Sequence, residues 1–261
     1  MATENFSLHK KNQADAIWNE EYKTPLQVSE QDYKIARTSF LFIRDHWSKY
    51  VENLFGGGDL LIPSAVIEFE NAKQDYVDKG MTYASALFSA MNSPFNLLKA
   101  YTMQLKLREV VCELEKLGSI YYSPSQKEVM IAFMMKLRCG LHGNDSNKEY
   151  YGACAVKYVD QVLADANAPL ATRMLTLARA VTVPTIPYNM KVKYVNEVLD
   201  MLSEIYNDSA KIIRLEQDWK TYIRLARMMF AWKYMFFGLR HDRSKGLHVK
   251  SYAFFVRYFY K

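Results

Sequence analysis

An all-α fold is the expectation, and three features of the sequence carry it. Apolar residues recur at helical spacing over long segments, only caps, Gly and Pro break those segments, and no short Val/Ile-rich run recurs as strands would. Half of the 261 residues are apolar, against ten Gly and seven Pro, so most of the chain has the composition of a folded core. About nine or ten helices suit this length, arranged as one large body or as two packed lobes.

Residues 1–30 are polar and poorly periodic, with Phe6, Leu8, Ile17 and Trp18 as isolated apolar anchors, and are expected to form an arm. From Asp32 the register turns helical, with Ile35, Phe40, Phe42, Ile43, Trp47, Val51 and Leu54 as the apolar face and Gly56, Gly57 and Gly58 as the stop. No Lys-Ser or Lys-Thr follows that Gly run, so it is a helix end rather than a phosphate-binding loop. Pro63 and Ser64 open a segment carrying Val66, Ile67, Phe69 and Tyr76, which Gly80 is expected to close. Ser93 and Pro94 have the order of an N-cap and first helical residue, and the helix they start passes Leu98, Leu105, Val111 and Leu114 to Gly118.

Ser125 and Glu128 stand at capping-box spacing ahead of Val129, Met130, Phe133 and Met134. After the polar residues 140–147, a helix is expected over 148–166 and another from Pro169, with Pro184 and Pro187 punctuating the next gap. Residues 188–206 are amphipathic, and Asp208 or Ser209 caps the last long helix. The expected organisation is an N-terminal arm over 1–30, helical lobes over 31–143 and 144–241, and a basic turn with an aromatic closing segment over 242–261. The gaps at 140–147 and 184–187 are the candidate lobe boundaries.

Several chemistries find no support. Cys112, Cys139 and Cys154 lack paired spacing, which argues against a disulfide framework or a zinc ribbon and for reduced, buried thiols. His9, His46, His142, His241 and His248 show no metal-ligand spacing, so no metal or cofactor is expected. There is no nucleophile elbow, Walker A sequence or dinucleotide Gly fingerprint, and no catalytic residue or small-molecule substrate is assigned. Glu68 with Glu70 and Glu113 with Glu115 are two apart, which on a helix splays them by about 200° and makes them solvated-face residues; Asp145 with Glu149 is read the same way. The first residues lack the apolar run of a signal peptide, and no apolar stretch reaches the roughly 20 residues of a bilayer span, so a cytoplasmic place is expected.

The informative segment is 220–261. It holds ten Lys or Arg, one acid (Asp242) and twelve aromatic residues, whereas residues 1–219 hold twenty-four Lys or Arg against twenty-seven acids. Helices usually offset each cation with an acid three or four residues away, so this local excess requires something polyanionic nearby. On a helix, Lys220, Arg224 and Arg227 fall within about 60° of one another, beside the small residues Ala231 and Gly238. Met228, Trp232, Met235 and Leu239 occupy one flank, and Trp219, Ile223, Phe230 and Phe237 the other, giving a helix buried on two sides with a cationic row open as a groove. Arg240, Arg243 and Lys245 extend the basic surface, and Tyr222, Tyr234 and Tyr252 are candidate stacking rings. The segment 252–260 is too apolar to float free, and either closes the protein's own core or docks on a neighbouring copy.

A helical protein with a polar N-terminal arm, no catalytic motif and a cationic, aromatic groove resembles the helical nucleocapsid or coat proteins of RNA viruses. The resemblance is one of overall profile and carries no family motif onto particular residues. It implies a non-enzymatic structural protein that self-associates through terminal arms along single-stranded RNA. An anionic membrane surface is the alternative partner for the same residues, through a peripheral matrix-type role. A protein-interaction adaptor or an enzyme with an unrecognised site is the third reading.

Overall fold

The computed structural model describes Ala16 and residues 18–47, 62–91, 100–139 and 147–207. Among them are seven α-helices and no strand: α1 (Thr24–Asp45), α2 (Ile62–Met91), α3 (Ala100–Leu117), α4 (Pro124–Arg138), α5 (Lys148–Ala164), α6 (Leu170–Ala180) and α7 (Tyr188–Asn207). A π-helical turn over Asn19–Lys23 leads into α1, and a 3-10 turn over Ser119–Tyr121 follows α3. The all-α expectation therefore holds for the described residues. They belong to two compact units, which divide between Tyr122 and Ser123.

In the first unit α2 packs against both α1 and α3. The inward face of α1 is Ser29, Tyr33, Ala36 and Phe40, spaced by three and four residues. Ile35 and Phe42, expected on that face, are 58% and 59% exposed. Periodicity finds an apolar stripe without saying which of two adjacent stripes turns inward, and here the tyrosine-bearing one does. Residues 19–30, expected in the arm, are helical: the turn over Asn19–Lys23 runs on into α1, whose first turn accommodates Pro25. The rest of the arm, Ala16 and Trp18 aside, lies outside the described residues.

Gly80 does not close α2. The helix continues through it to Met91, and the glycine faces α3 at close range: a Cβ there would stand 2.8 Å from Leu114 Cδ2. Gly118 does end α3, with φ at 98°, a region where an L side chain is strained. Tyr122 then donates its hydroxyl hydrogen to the Leu114 carbonyl, satisfying one of the acceptors that a helix end leaves over. The expected start at Ser93 and Pro94 and the glycines at 56–58 lie outside the described residues.

In the second unit α4 packs on α5 and α6, α5 on α6, and α6 on α7. The N-cap of α4 is Ser123 and not Ser125. Its hydroxyl accepts from the Gln126 N–H at 3.2 Å, while the Ser123 N–H donates to Gln126 Oε1 at 2.8 Å. The Ser123 pair forms the capping box, which leaves Glu128 for another task. The expected boundary after residue 143 would place α4 in the first unit, but its apolar face of Met130, Ile131, Phe133, Met134 and Leu137 is buried in the second. Residues 140–146 lie outside the described residues. Beyond them α5, α6 and α7 begin and end close to their expected limits, with Pro169 as the N-cap of α6 and Pro187 just before α7.

Candidate functional site

Lys220, Arg224, Arg227, Arg240, Arg243 and Lys245 all lie outside the described residues, as do Tyr222, Tyr234 and Tyr252. The described helices instead show how this chain handles charge wherever its side chains can be followed.

The densest polar group is in the first unit, where α1, α2 and α3 each supply a member. Arg37 donates from Nε and Nη2 to the two oxygens of Glu113, both at 2.8 Å. Tyr33 and Tyr76 add their hydroxyl hydrogens to Glu113 Oε2 at 2.7 and 2.6 Å. Glu113 is thus no solvated-face residue, and this corrects the reading of the Glu113 and Glu115 pair. Partial burial raises its pKa, but the hydrogen bonds from Arg37, Tyr76 and Tyr33 outweigh that and pull it down to about 2. Burial and the carboxylate push Tyr76 up to about 12, and Tyr33 moves in the same direction. A carboxylate so fully engaged is held ionised at neutral pH, and its protonation state is unsuited to general acid–base work there.

Aromatic rings extend from this group along the interface of α1 and α2. Tyr33 stacks on Tyr83 and Tyr76, Phe40 on Tyr76, and Phe40 and Trp47 both meet Phe69, with centroids 5.0 to 5.6 Å apart. Lys73 lies 3.9 Å from the Tyr121 ring centroid, a close cation–π contact. Beside the cluster, Glu30 takes Lys34 at 3.0 Å and Lys106 at 3.2 Å, and Lys79 reaches Asp32 at 3.7 Å.

In the second unit Glu128 is almost fully buried and accepts from Arg179 Nε of α6. The sequence shows both residues but not their union, which spans fifty-one positions. Cys154 is buried as expected, Cys112 is half-buried and Cys139 is exposed, which corrects the uniform expectation of buried thiols. Among the described residues no group of three or more His, Cys, Asp or Glu could hold a metal ion, and no helix is long and apolar enough to cross a membrane. An open groove of about 860 Å³ runs between the start of α6 and α7.

Comparison with protein-family models, curated proteins and solved structures finds no match to this chain.

Proposed function

We propose that this chain is a non-enzymatic, self-assembling protein of the cytoplasm that binds single-stranded RNA. In this reading Lys220, Arg224, Arg227, Arg240, Arg243 and Lys245 contact phosphate, and terminal arms join neighbouring copies. The whole chain then comprises about nine or ten helices in two lobes, with residues 220–240 as a long basic helix.

The observation that carries the reading is a contrast in charge bookkeeping within one chain. The described helices pair cation with acid repeatedly: Arg37 with Glu113, Lys34 and Lys106 with Glu30, Lys79 with Asp32, Arg179 with Glu128. Residues 220–261 offer ten cations and a single acid. Polyphosphate is a natural counter-charge for such a segment, and its interleaved aromatic residues suit stacking on unpaired bases without sequence preference.

The test is binding of a short single-stranded RNA by the full chain across a salt series. Log affinity should fall linearly with log salt, by roughly 0.7 per phosphate neutralised. A flat dependence overturns the proposal. Flotation with liposomes containing anionic lipid, alongside weak RNA binding, would favour the membrane reading instead.

A further inference from the structure

The face of α1 that turns away from α2 carries a row of apolar side chains. Val28, Ile35 and Phe42 are 55%, 58% and 59% exposed, although the opposite face of the same helix is buried. They stand seven residues apart, so they form one line with about 10 Å between neighbours along the axis, unlike the single exposed apolar residues that any surface carries. Gln31 and Thr38, both exposed, fill the gaps, and the row from Val28 to Phe42 then advances by alternating steps of three and four. That is the spacing of a coiled-coil seam, with apolar residues at its a positions and uncharged polar residues at its d positions.

The charges of α1 stand off this row and are answered within the chain. Lys34, on one flank, pairs with Glu30, Asp32, on the other, reaches Lys79, and Arg37 on the far side is held by Glu113. The next seam position is Asp45, where α1 ends and Arg44 pairs with it. A foreign partner can complement charges, but in a parallel two-fold pair each seam residue meets its own copy, and a charge there would face its like. A seam without charge from Val28 to Phe42 is what self-pairing requires.

The flanks also select a direction. In a parallel, in-register pair Gln27 comes beside the partner's Asp32, Lys34 beside the partner's Ser39 and Leu41 beside the partner's His46, so no like charges meet. An antiparallel pair centred on Ile35 would instead bring the two copies of Lys34 together. We infer that α1 pairs with α1 of a second copy of this chain, parallel and in register, through Val28, Ile35 and Phe42. A side-chain amide both donates and accepts, so Gln31 can bond its own copy, and a polar residue in such a seam fixes the register at a cost in stability. The contact depends neither on RNA nor on the terminal arms. Five positions a side, against roughly 20–30 in a standard stable interface, make it a weak pairing that exchanges in solution.

Covalent capture suits a weak contact. In the full chain, treated with nuclease and carrying Cys112→Ser, Cys139→Ser and Cys154→Ala, Ile35→Cys should form disulfide-linked dimers about tenfold faster than Tyr101→Cys, which is also exposed and lies on α3 of the same unit. Val28→Cys and Phe42→Cys should each capture their own kind and, when mixed, give few mixed dimers. Adding Gln31→Glu to the Ile35→Cys chain should slow capture about tenfold, and mixing it with the matching Gln31→Lys chain should restore capture as mixed dimers, a gain that a misfolded protein could not give. Equal capture at positions 35 and 101, indifference to both Gln31 variants, or a preference for Val28→Cys with Phe42→Cys mixed dimers would each overturn the inference.

Discussion

Arg37 and Glu113, seventy-six residues apart in the chain, meet through two parallel hydrogen bonds of 2.8 Å, and Tyr33 and Tyr76 close the remaining side of the carboxylate. Because each of three helices supplies a member, the cluster sets the register of α1, α2 and α3 against one another as apolar packing alone would not. Its planar, two-toothed geometry is one that Lys could not reproduce at position 37.

A pH dependence follows from that contact. Glu113 titrates near its ordinary value when the chain is unfolded and at about 2 when folded, so between those values the unfolded chain binds more protons. The stability it contributes is complete above roughly pH 5 and is lost as the pH falls toward 2. Urea denaturation at stepped pH should show this slope in the wild type and its loss in Glu113→Gln. The Gln variant should also be less stable at pH 7 by about 1–2 kcal/mol, since it weakens the hydrogen bonds from Arg37, Tyr33 and Tyr76 while water screens the part-exposed Arg37.

Burial makes the second ion pair more sensitive to a one-sided change. Arg179→Met strands the Glu128 carboxylate in the core and should cost about 3–5 kcal/mol, whereas removing both partners in a Glu128→Leu, Arg179→Met double variant should recover most of the loss. Chemical denaturation of the two single variants and the double variant checks this. Equal losses in the single and double variants would mean that packing around Arg179 matters more than its charge.

Gly80→Ala sets two effects in opposition. Alanine raises helix propensity by about 1 kcal/mol, but its methyl group would stand 2.8 Å from Cδ2 of the fully buried Leu114, whose side chain would have to shift within a close-packed interior. Overpacking of this kind costs about 1–3 kcal/mol, so net destabilisation is expected. Shortening the neighbour in a Gly80→Ala, Leu114→Val double variant should restore part of it, as read from thermal midpoints.

For the proposed RNA interface, a Lys220→Ala, Arg224→Ala, Arg227→Ala variant should stay folded, bind single-stranded RNA more weakly and show a salt slope shallower by up to about two units. Unchanged RNA binding with lowered stability would assign the three cations a structural role. The ratio of absorbance at 260 to 280 nm of the purified protein gives an independent reading, and nucleic acid carried through purification should raise it.

Much of the fold was legible because helices announce themselves locally. The limits of α5, α6 and α7 follow from Pro169, Pro187 and the amphipathic period between them, all features contained within a few turns. Gly118 was legible as a stop for the same reason. Gly80 was misleading because a glycine that ends a helix and one that admits a neighbouring helix look the same in sequence, and only the approach of Leu114 tells them apart. The inward face of α1 depends likewise on which stripe α2 presses against.

The amino-acid sequence by itself determined the helical class, most helix limits in the second unit and the concentration of positive charge after residue 219, since each depends on composition or on neighbours within a few positions. Tertiary structure alone decided that Glu113 and Glu128 are engaged carboxylates and that α4 belongs with α5 and α6. It also set a polar face of α7 alongside the start of α6. The physical reason is distance along the chain. Propensity, capping and periodicity act over one to three turns, whereas a salt bridge between helices, a close helix contact or a groove wall needs residues that only the packed core brings together.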